Sequence, residues 1–174
     1  MTGVGILTVS DTRSRNERED TATPRIRHIL EEAGFMVSEA LLVPDEIEQI
    51  CARLIEFSDN KKFSLVVTTG GTGLGARDVT PEATLRVIER SIPGIPEAMR
   101  ALTAIGNPLA WLSRAVAGLR GRTLIINLPG NPNGAEECLR VIIPLLPHAL
   151  SMIEGKSHDE PTCAGHAHSH RAAQ

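Results

Sequence analysis

The feature that most narrows the fold of this chain is an alternation. Val4-Gly5-Ile6-Leu7-Thr8-Val9, Met36 to Val43 and Leu65 to Thr69 are short apolar runs, each followed by a polar segment and then by apolar residues at helical spacing. A continuous apolar run reads as a strand buried on both faces, as in a parallel sheet, rather than a half-solvated one. The first helix opens at Thr23-Pro24, aligns Ile26, Ile29, Leu30 and Ala33, and stops at Gly34. The second follows Pro44-Asp45-Glu46 and aligns Ile47, Ile50, Cys51, Leu54 and Ile55; the third spans Thr80 to Arg90, with Thr80 as N-cap and Pro81 in its first turn. The pattern predicts a single α/β domain of three layers, a mostly parallel sheet with helices on both faces. Right-handed crossovers place the C-terminal ends of parallel strands on one edge. Ser10-Asp11, Pro44-Asp45 and Thr69-Gly70 therefore converge where open α/β sheets bind ligands.

Beyond residue 90 the reading is coarser. Short helices are expected at Pro96 to Ala104 and Pro108 to Ala115. Ala115 to Leu119 and Arg122 to Asn127 flank Arg120-Gly121 as a hairpin, which adds an antiparallel edge. Leu124-Ile125-Ile126 reads as a central strand, and a last helix as Gly134 to Glu154, kinked at Pro144 and Pro147. The domain is expected to occupy residues 1–155. Residues 156–174 form a polar tail bearing Cys163, His158, His166, His168 and His170, whose alternating histidines have the chemistry to bind a transition metal.

Composition removes several functions. The chain has three Phe, one Trp and no Tyr, too few aromatic platforms for single-stranded nucleic acid. Its formal net charge is −3, with no long basic run to track a phosphate backbone. The cysteines, Cys51, Cys138 and Cys163, are odd in number and widely spaced; the first two read as small core residues, not as a disulfide framework. Neither a signal peptide nor a membrane span is legible, so a cytoplasmic protein is expected.

The chemistry concentrates after the third strand. Thr69-Gly70-Gly71-Thr72-Gly73-Leu74-Gly75-Ala76-Arg77-Asp78 holds four glycines, which accept positive φ and let backbone N–H groups approach an anion. The P-loop pattern fails, because Ala76-Arg77 follows Gly75 where Lys and Ser or Thr belong. Gly71-x-Gly73-x-x-Ala76 fits a dinucleotide fingerprint formally, but the helix signal at Thr80 comes too late. Asp78 would repel a bare phosphate unless a cation or donor sits between, so the layout suggests a phosphorylated ligand with a divalent metal. The plainer alternative is a tight strand-to-helix turn.

Several segments, in order, resemble one family: Ser10-Asp11-Thr12, Val43-Pro44-Asp45-Glu46, the glycine loop with Arg77-Asp78-Val79-Thr80-Pro81-Glu82-Ala83, Leu112-Ser113-Arg114, and Leu128-Pro129-Gly130-Asn131-Pro132. Over about residues 4–154 the chain is similar to the molybdopterin-binding family, nearest its molybdopterin adenylyltransferase branch, which includes bacterial single-domain enzymes and the G domain of gephyrin. The resemblance implies a homotrimer that uses Mg²⁺ and ATP to transfer AMP to the terminal phosphate of molybdopterin, releasing pyrophosphate. A second, molybdenum-inserting enzyme then acts on the product.

By resemblance, Asp45 and Asp78 are the catalytic residues, with Asp45 the partner of Mg²⁺. Gly70, Gly71, Thr72 and Gly73 offer amides to the molybdopterin phosphate or pterin, and Ser10 and Asp11 line the nucleotide end. Pro129, Gly130, Asn131 and Pro132 close the pocket, and Ser113 and Thr103 complete the substrate-binding set. Thr103 stands where the family often has serine. From local sequence alone the plainer alternatives are that Asp45 is an N-cap, Asp78 a turn residue, and Gly130-Asn131-Pro132 an ordinary proline turn. The alternatives in function are a non-catalytic molybdopterin-binding or carrier protein, metal delivery by the histidine tail, and action on another nucleotide, as in relatives fused to amidases.

Overall fold

The computed structural model describes residues 3–15 and 19–155. In chain order the elements are β1 (Val4–Val9), a one-turn α1 (Asp11–Ser14), α2 (Ala22–Glu32), β2 (Val37–Val43), α3 (Ile47–Ile55) running into a π-turn (Glu56–Asn60), β3 (Leu65–Thr69) and α4 (Thr80–Val87). They continue with β4 (Arg90–Ser91), α5 (Gly94–Thr103), a 3-10 turn (Pro108–Leu112), β5 (Ala117–Arg120), β6 (Thr123–Leu128), α6 (Pro132–Ile142), a 3-10 turn (Ile143–Leu145) and α7 (Leu146–Ile153).

The strands form one sheet in the order β2-β1-β3-β6-β5-β4. β2, β1, β3 and β6 are parallel, and β5 and β4 add the antiparallel edge. Their continuous apolar runs conceal a period of two. Val4 and Ile6, Leu65 and Val67, and Leu124, Ile126 and Leu128 pack on one face with Ile26 and Leu30 of α2, Met99 of α5 and Leu139 and Ile142 of α6. Leu7 and Val9, Val66 and Ile125 face the other way, onto Ile50 and Leu54 of α3, Val87 of α4, and Phe57 and Phe63 from the stretch between α3 and β3. Two buried layers share one sheet, as expected for strands covered on both sides.

Several details differ from the sequence expectation. α4 ends at Val87, and Arg90–Ser91 is a two-residue strand on the sheet edge, too short for any periodicity to announce. Thr80 does not cap α4; its hydroxyl donates to the Gly70 carbonyl at 2.9 Å. Pro108–Leu112 is a 3-10 turn, not an α-helix. The last helix is broken into α6 and α7 by the turn that contains Pro144, since proline lacks the N–H that would continue the ladder. Cys138 is buried but Cys51 only half so. Cys163, His158, His166, His168 and His170 lie outside the described residues.

Candidate functional site

The C-terminal ends of the four parallel strands meet at one edge, and hydrogen bonds tie them there. Ser10 N–H donates to Val43 O at 2.9 Å, Gly70 N–H to Leu128 O at 3.2 Å, and the Thr69 hydroxyl to Pro129 O at 2.8 Å. The loops pack so closely that glycine is obligatory. A Cβ on Gly70, where φ is +104°, would fall 2.1 Å from Val9 O. On Gly71, where φ is +61°, it would fall 2.4 Å from the Thr80 hydroxyl and 2.9 Å from Asp45 Oδ1.

This edge carries two adjoining cavities. A smaller one, about 320 Å³, is lined by Ser10, Arg13, Asp45, Gly70, Gly71 and Asp78, with Gly130, Asn131 and Pro132. A larger one, about 780 Å³, is lined by Gly71, Thr72, Gly73, Asp78, Thr103 and Ser113, with Pro129, Gly130 and Asn131, and by apolar Met99 and Leu112. Gly71, Asp78, Gly130 and Asn131 border both. The glycine loop is thus the shared wall, and every expected site residue except Asp11 lines one cavity or the other.

Asp11 serves as a brace. Its Oδ1 accepts the Asp45 N–H at 3.0 Å, while Asp45 Oδ2 accepts the Asp11 N–H at 2.7 Å. Arg77 holds the Asp11 carboxylate with two bonds, at 2.9 and 3.1 Å, and reaches Glu46 at 2.7 Å. The Arg77 hydrogen bond, against a smaller penalty from burial, holds the Asp11 carboxyl below the usual carboxylate range. Burial pushes Asp45 the opposite way, and the negative charges of Asp11 and Asp78 add to the rise, against the pull of the Asp11 N–H and of Arg77. Asp45 is not a cap: α3 begins two residues later and has Glu46 at its N-cap position. Asp78 does bond its own loop, accepting the Gly75 N–H at 2.8 Å, so its turn role and its place on both cavities coexist.

Two expected details change. Gly70 spends its N–H on Leu128 O, which leaves Gly71, Thr72 and Gly73 as the amides for a ligand. Asn131 is more than a turn residue, because its Oδ1 caps α6 by accepting from Asn133 and Gly134 N–H at 2.9 and 3.3 Å. Thr103 donates its hydroxyl to Met99 O at 2.7 Å, so toward the cavity it offers an acceptor.

Arginines are the residues that sequence reasoning left without a role. Arg114 clamps the glycine loop: its N–H reaches Thr72 O at 2.9 Å, its guanidinium reaches Gly73 O at 2.7 Å and Asp78 O at 2.5 Å, and it pairs with Glu82. Arg114 and Arg77 stand in the quoted segments Leu112-Ser113-Arg114 and Arg77-Asp78, so position was legible but purpose was not. Arg13 had no signal beyond lying in a polar segment.

A divalent cation fits the donor set in a limited way. Among the described residues no three metal-ligating side chains cluster. Asp45 and Asp78 line the same small cavity, and Asp45 feels Asp78 as a like charge. Two carboxylates with coordination completed by water and substrate phosphates is the usual arrangement for Mg²⁺.

A family model described as a probable molybdopterin binding domain matches residues 5–148. The molybdopterin adenylyltransferase of Helicobacter pylori is 41% identical over 154 residues, spanning 87% of this chain and 88% of that protein. That of Escherichia coli K12 is 36% identical over 167 residues, spanning 87% of this chain and 85% of its own length. Among solved structures, the molybdopterin biosynthesis enzyme MoaB of Thermus thermophilus superposes with a TM-score of 0.86 at 51% identity, covering 90% of this chain and 98% of that one.

Proposed function

The chain belongs to the molybdopterin-binding family, in its adenylyltransferase branch, and we propose that it transfers AMP from Mg-ATP to the terminal phosphate of molybdopterin. The observation that carries the reading is the pair of cavities meeting at Gly71, Asp78, Gly130 and Asn131. Two anionic substrates need two compartments with one shared wall. The larger cavity, polar with an apolar side, suits the pterin and falls within the usual range for a small-molecule site. The smaller, carrying Ser10, Asp45 and Asp78, suits the phosphate chain of the nucleotide.

In the reaction a terminal phosphate oxygen of molybdopterin attacks the α-phosphorus of ATP. The bond from that phosphorus to the bridging oxygen breaks, and pyrophosphate leaves. Neither reactant needs a protein nucleophile, so the chain's work is positioning and charge control. Asp45 and Asp78 would hold Mg²⁺, which supplies positive charge to the phosphate oxygens. Gly71, Thr72 and Gly73 present backbone amides, Thr103 and Ser113 orient the pterin, and the Asp11–Asp45 and Arg114 contacts fix the carboxylates and the loop.

The reading extends to a cytosolic homotrimer that passes adenylyl-molybdopterin to a molybdenum-inserting enzyme. Support for self-association comes from Leu102, Ile105, Leu109 and Trp111, large apolar side chains exposed on and after α5. Among the described residues no helix is long and apolar enough to cross a membrane.

The test follows labelled AMP from ATP to molybdopterin, with Mg²⁺ present or chelated. Product should form only with the metal. Asp45→Asn and Asp78→Asn should each lower the rate by about a hundredfold or more with the fold intact. Full activity in both variants would sink the assigned roles, and molybdopterin binding without transfer would leave a carrier.

A further inference from the structure

We infer that Arg13 is a phosphate-binding residue for the nucleoside triphosphate in the smaller cavity. The inference rests on the adenylyltransferase reading for the identity of the nucleotide, and on geometry for the rest.

Arg13 follows directly on the first strand, in α1, and only 5% of it is exposed. Its Nη2 donates to Gly130 O at 3.3 Å, which ties α1 to the loop after β6. Its Nε is the one buried side-chain nitrogen or oxygen among the described residues with no hydrogen-bond partner. Arginine cannot relieve a buried donor by losing its proton, and buried polar groups are almost always satisfied. Arg13 itself lines the smaller cavity, so a guanidinium that protein acceptors have not fully satisfied keeps donor capacity for a ligand there.

The neighbouring carboxylates do not take that donor. Asp20 feels the charge of Arg13, but its oxygens serve Thr8, Thr23 and the first N–H groups of α2. Asp45 and Asp78 line the same cavity, yet Asp45 accepts from Asp11 N–H and Asp78 from Gly75 N–H. Among the described residues Arg13 is also the only basic side chain on that lining. The cavity thus divides its labour: two carboxylates for a cation, and one guanidinium for an oxyanion. A triphosphate carries both partners at once, since its metal leaves phosphate charge uncompensated. A guanidinium suits the remainder because its planar fork can grip two phosphate oxygens. Arg13 does not line the larger cavity, which favours the nucleotide over the phosphate of the pterin as its partner.

The full chain is titrated calorimetrically with Mg-ATP, with magnesium tripolyphosphate and with molybdopterin. The unmodified chain should bind all three. Arg13→Gln should weaken Mg-ATP and tripolyphosphate about tenfold or more while leaving molybdopterin nearly unchanged. In turnover it should raise KM for ATP more than it lowers kcat. Arg13→Lys, which keeps the charge but loses the fork, should recover part of the affinity. Should Arg13→Gln fail to fold, Arg13→Lys carries the same comparison, with a smaller loss. Unchanged binding of Mg-ATP and tripolyphosphate in the folded variant overturns the inference and leaves Arg13 a packing residue. Loss confined to molybdopterin overturns it in favour of the pterin phosphate. Failure of the unmodified chain to bind either Mg-ATP or magnesium tripolyphosphate also overturns it. Transfer of labelled AMP by that same chain then says separately whether the adenylyltransferase reading survives.

Discussion

At Asp45 the chain holds a carboxylate against its own electrostatic preference. Burial, then Asp11 and Asp78, lift its pKa above the ordinary value. A carboxyl raised in the folded state contributes stability that is complete below the ordinary pKa and is lost as pH climbs through the raised one. At neutral pH the charged form therefore opposes folding. Asp45→Asn keeps an amide oxygen to accept the Asp11 N–H and removes the charge. Without metal, its unfolding temperature at pH 7.5 should exceed that of the parent by roughly 2 °C, and the gap should close as the pH falls toward the ordinary carboxylate range. A lower unfolding temperature at pH 7.5 would contradict this account. Residue by residue, Asp78 was legible because an acidic side chain beside a glycine loop carries chemistry, and Asp45 through the family resemblance. Arg77 and Arg13 were not, because an arginine's purpose depends on what it reaches: Asp11 lies 66 positions from Arg77 and Gly130 lies 117 from Arg13.

Two side chains hold the site's elements together. Asn127, fully buried near the end of β6, donates to the Thr68 and Thr84 hydroxyls at 3.0 and 2.9 Å and accepts from Val116 N–H at 3.2 Å. It joins β3, α4 and the approach to β5. Asn127→Leu would leave those groups without partners in a dry interior, at about 2–4 kcal/mol, read from urea unfolding. Arg114 acts on the glycine loop instead, through Gly73 O, Asp78 O and Glu82. Arg114→Gln should lower kcat by roughly ten- to a hundredfold through a displaced loop, with a smaller change in stability and partial rescue by Arg114→Lys. Equal kcat in the variant would show that the loop holds its shape unaided. Every strand but β4, together with α2–α4, was legible to within a few residues because apolar runs and breakers are local signals. The short β4, the 3-10 turn at Pro108 and the break between α6 and α7 depend on partners that periodicity does not record.

Across the whole molecule, the two cavities lie on one edge, and apolar side chains remain uncovered beyond it. Ile105 and Trp111 are 82% and 59% exposed, unusual for such residues unless another surface covers them. Sedimentation should give the mass of three chains, and Ile105→Asp combined with Trp111→Asp should shift it toward one; a single-chain mass for the parent would remove the trimer. Beside a candidate residue set implied by the family resemblance, the sequence by itself determined the layered α/β fold and the convergence of Ser10, Asp45 and Gly70 on one edge. These follow from short-range periodicity and from the handedness of crossovers, which are properties of the chain alone. Only the tertiary structure decided how that set is divided: two cavities with the glycine loop between them, Asp11 turned to bracing, and Arg13 buried with an unspent donor. Division of labour is set by distances between segments far apart in sequence, and those distances exist only once the sheet has closed the loops upon one another.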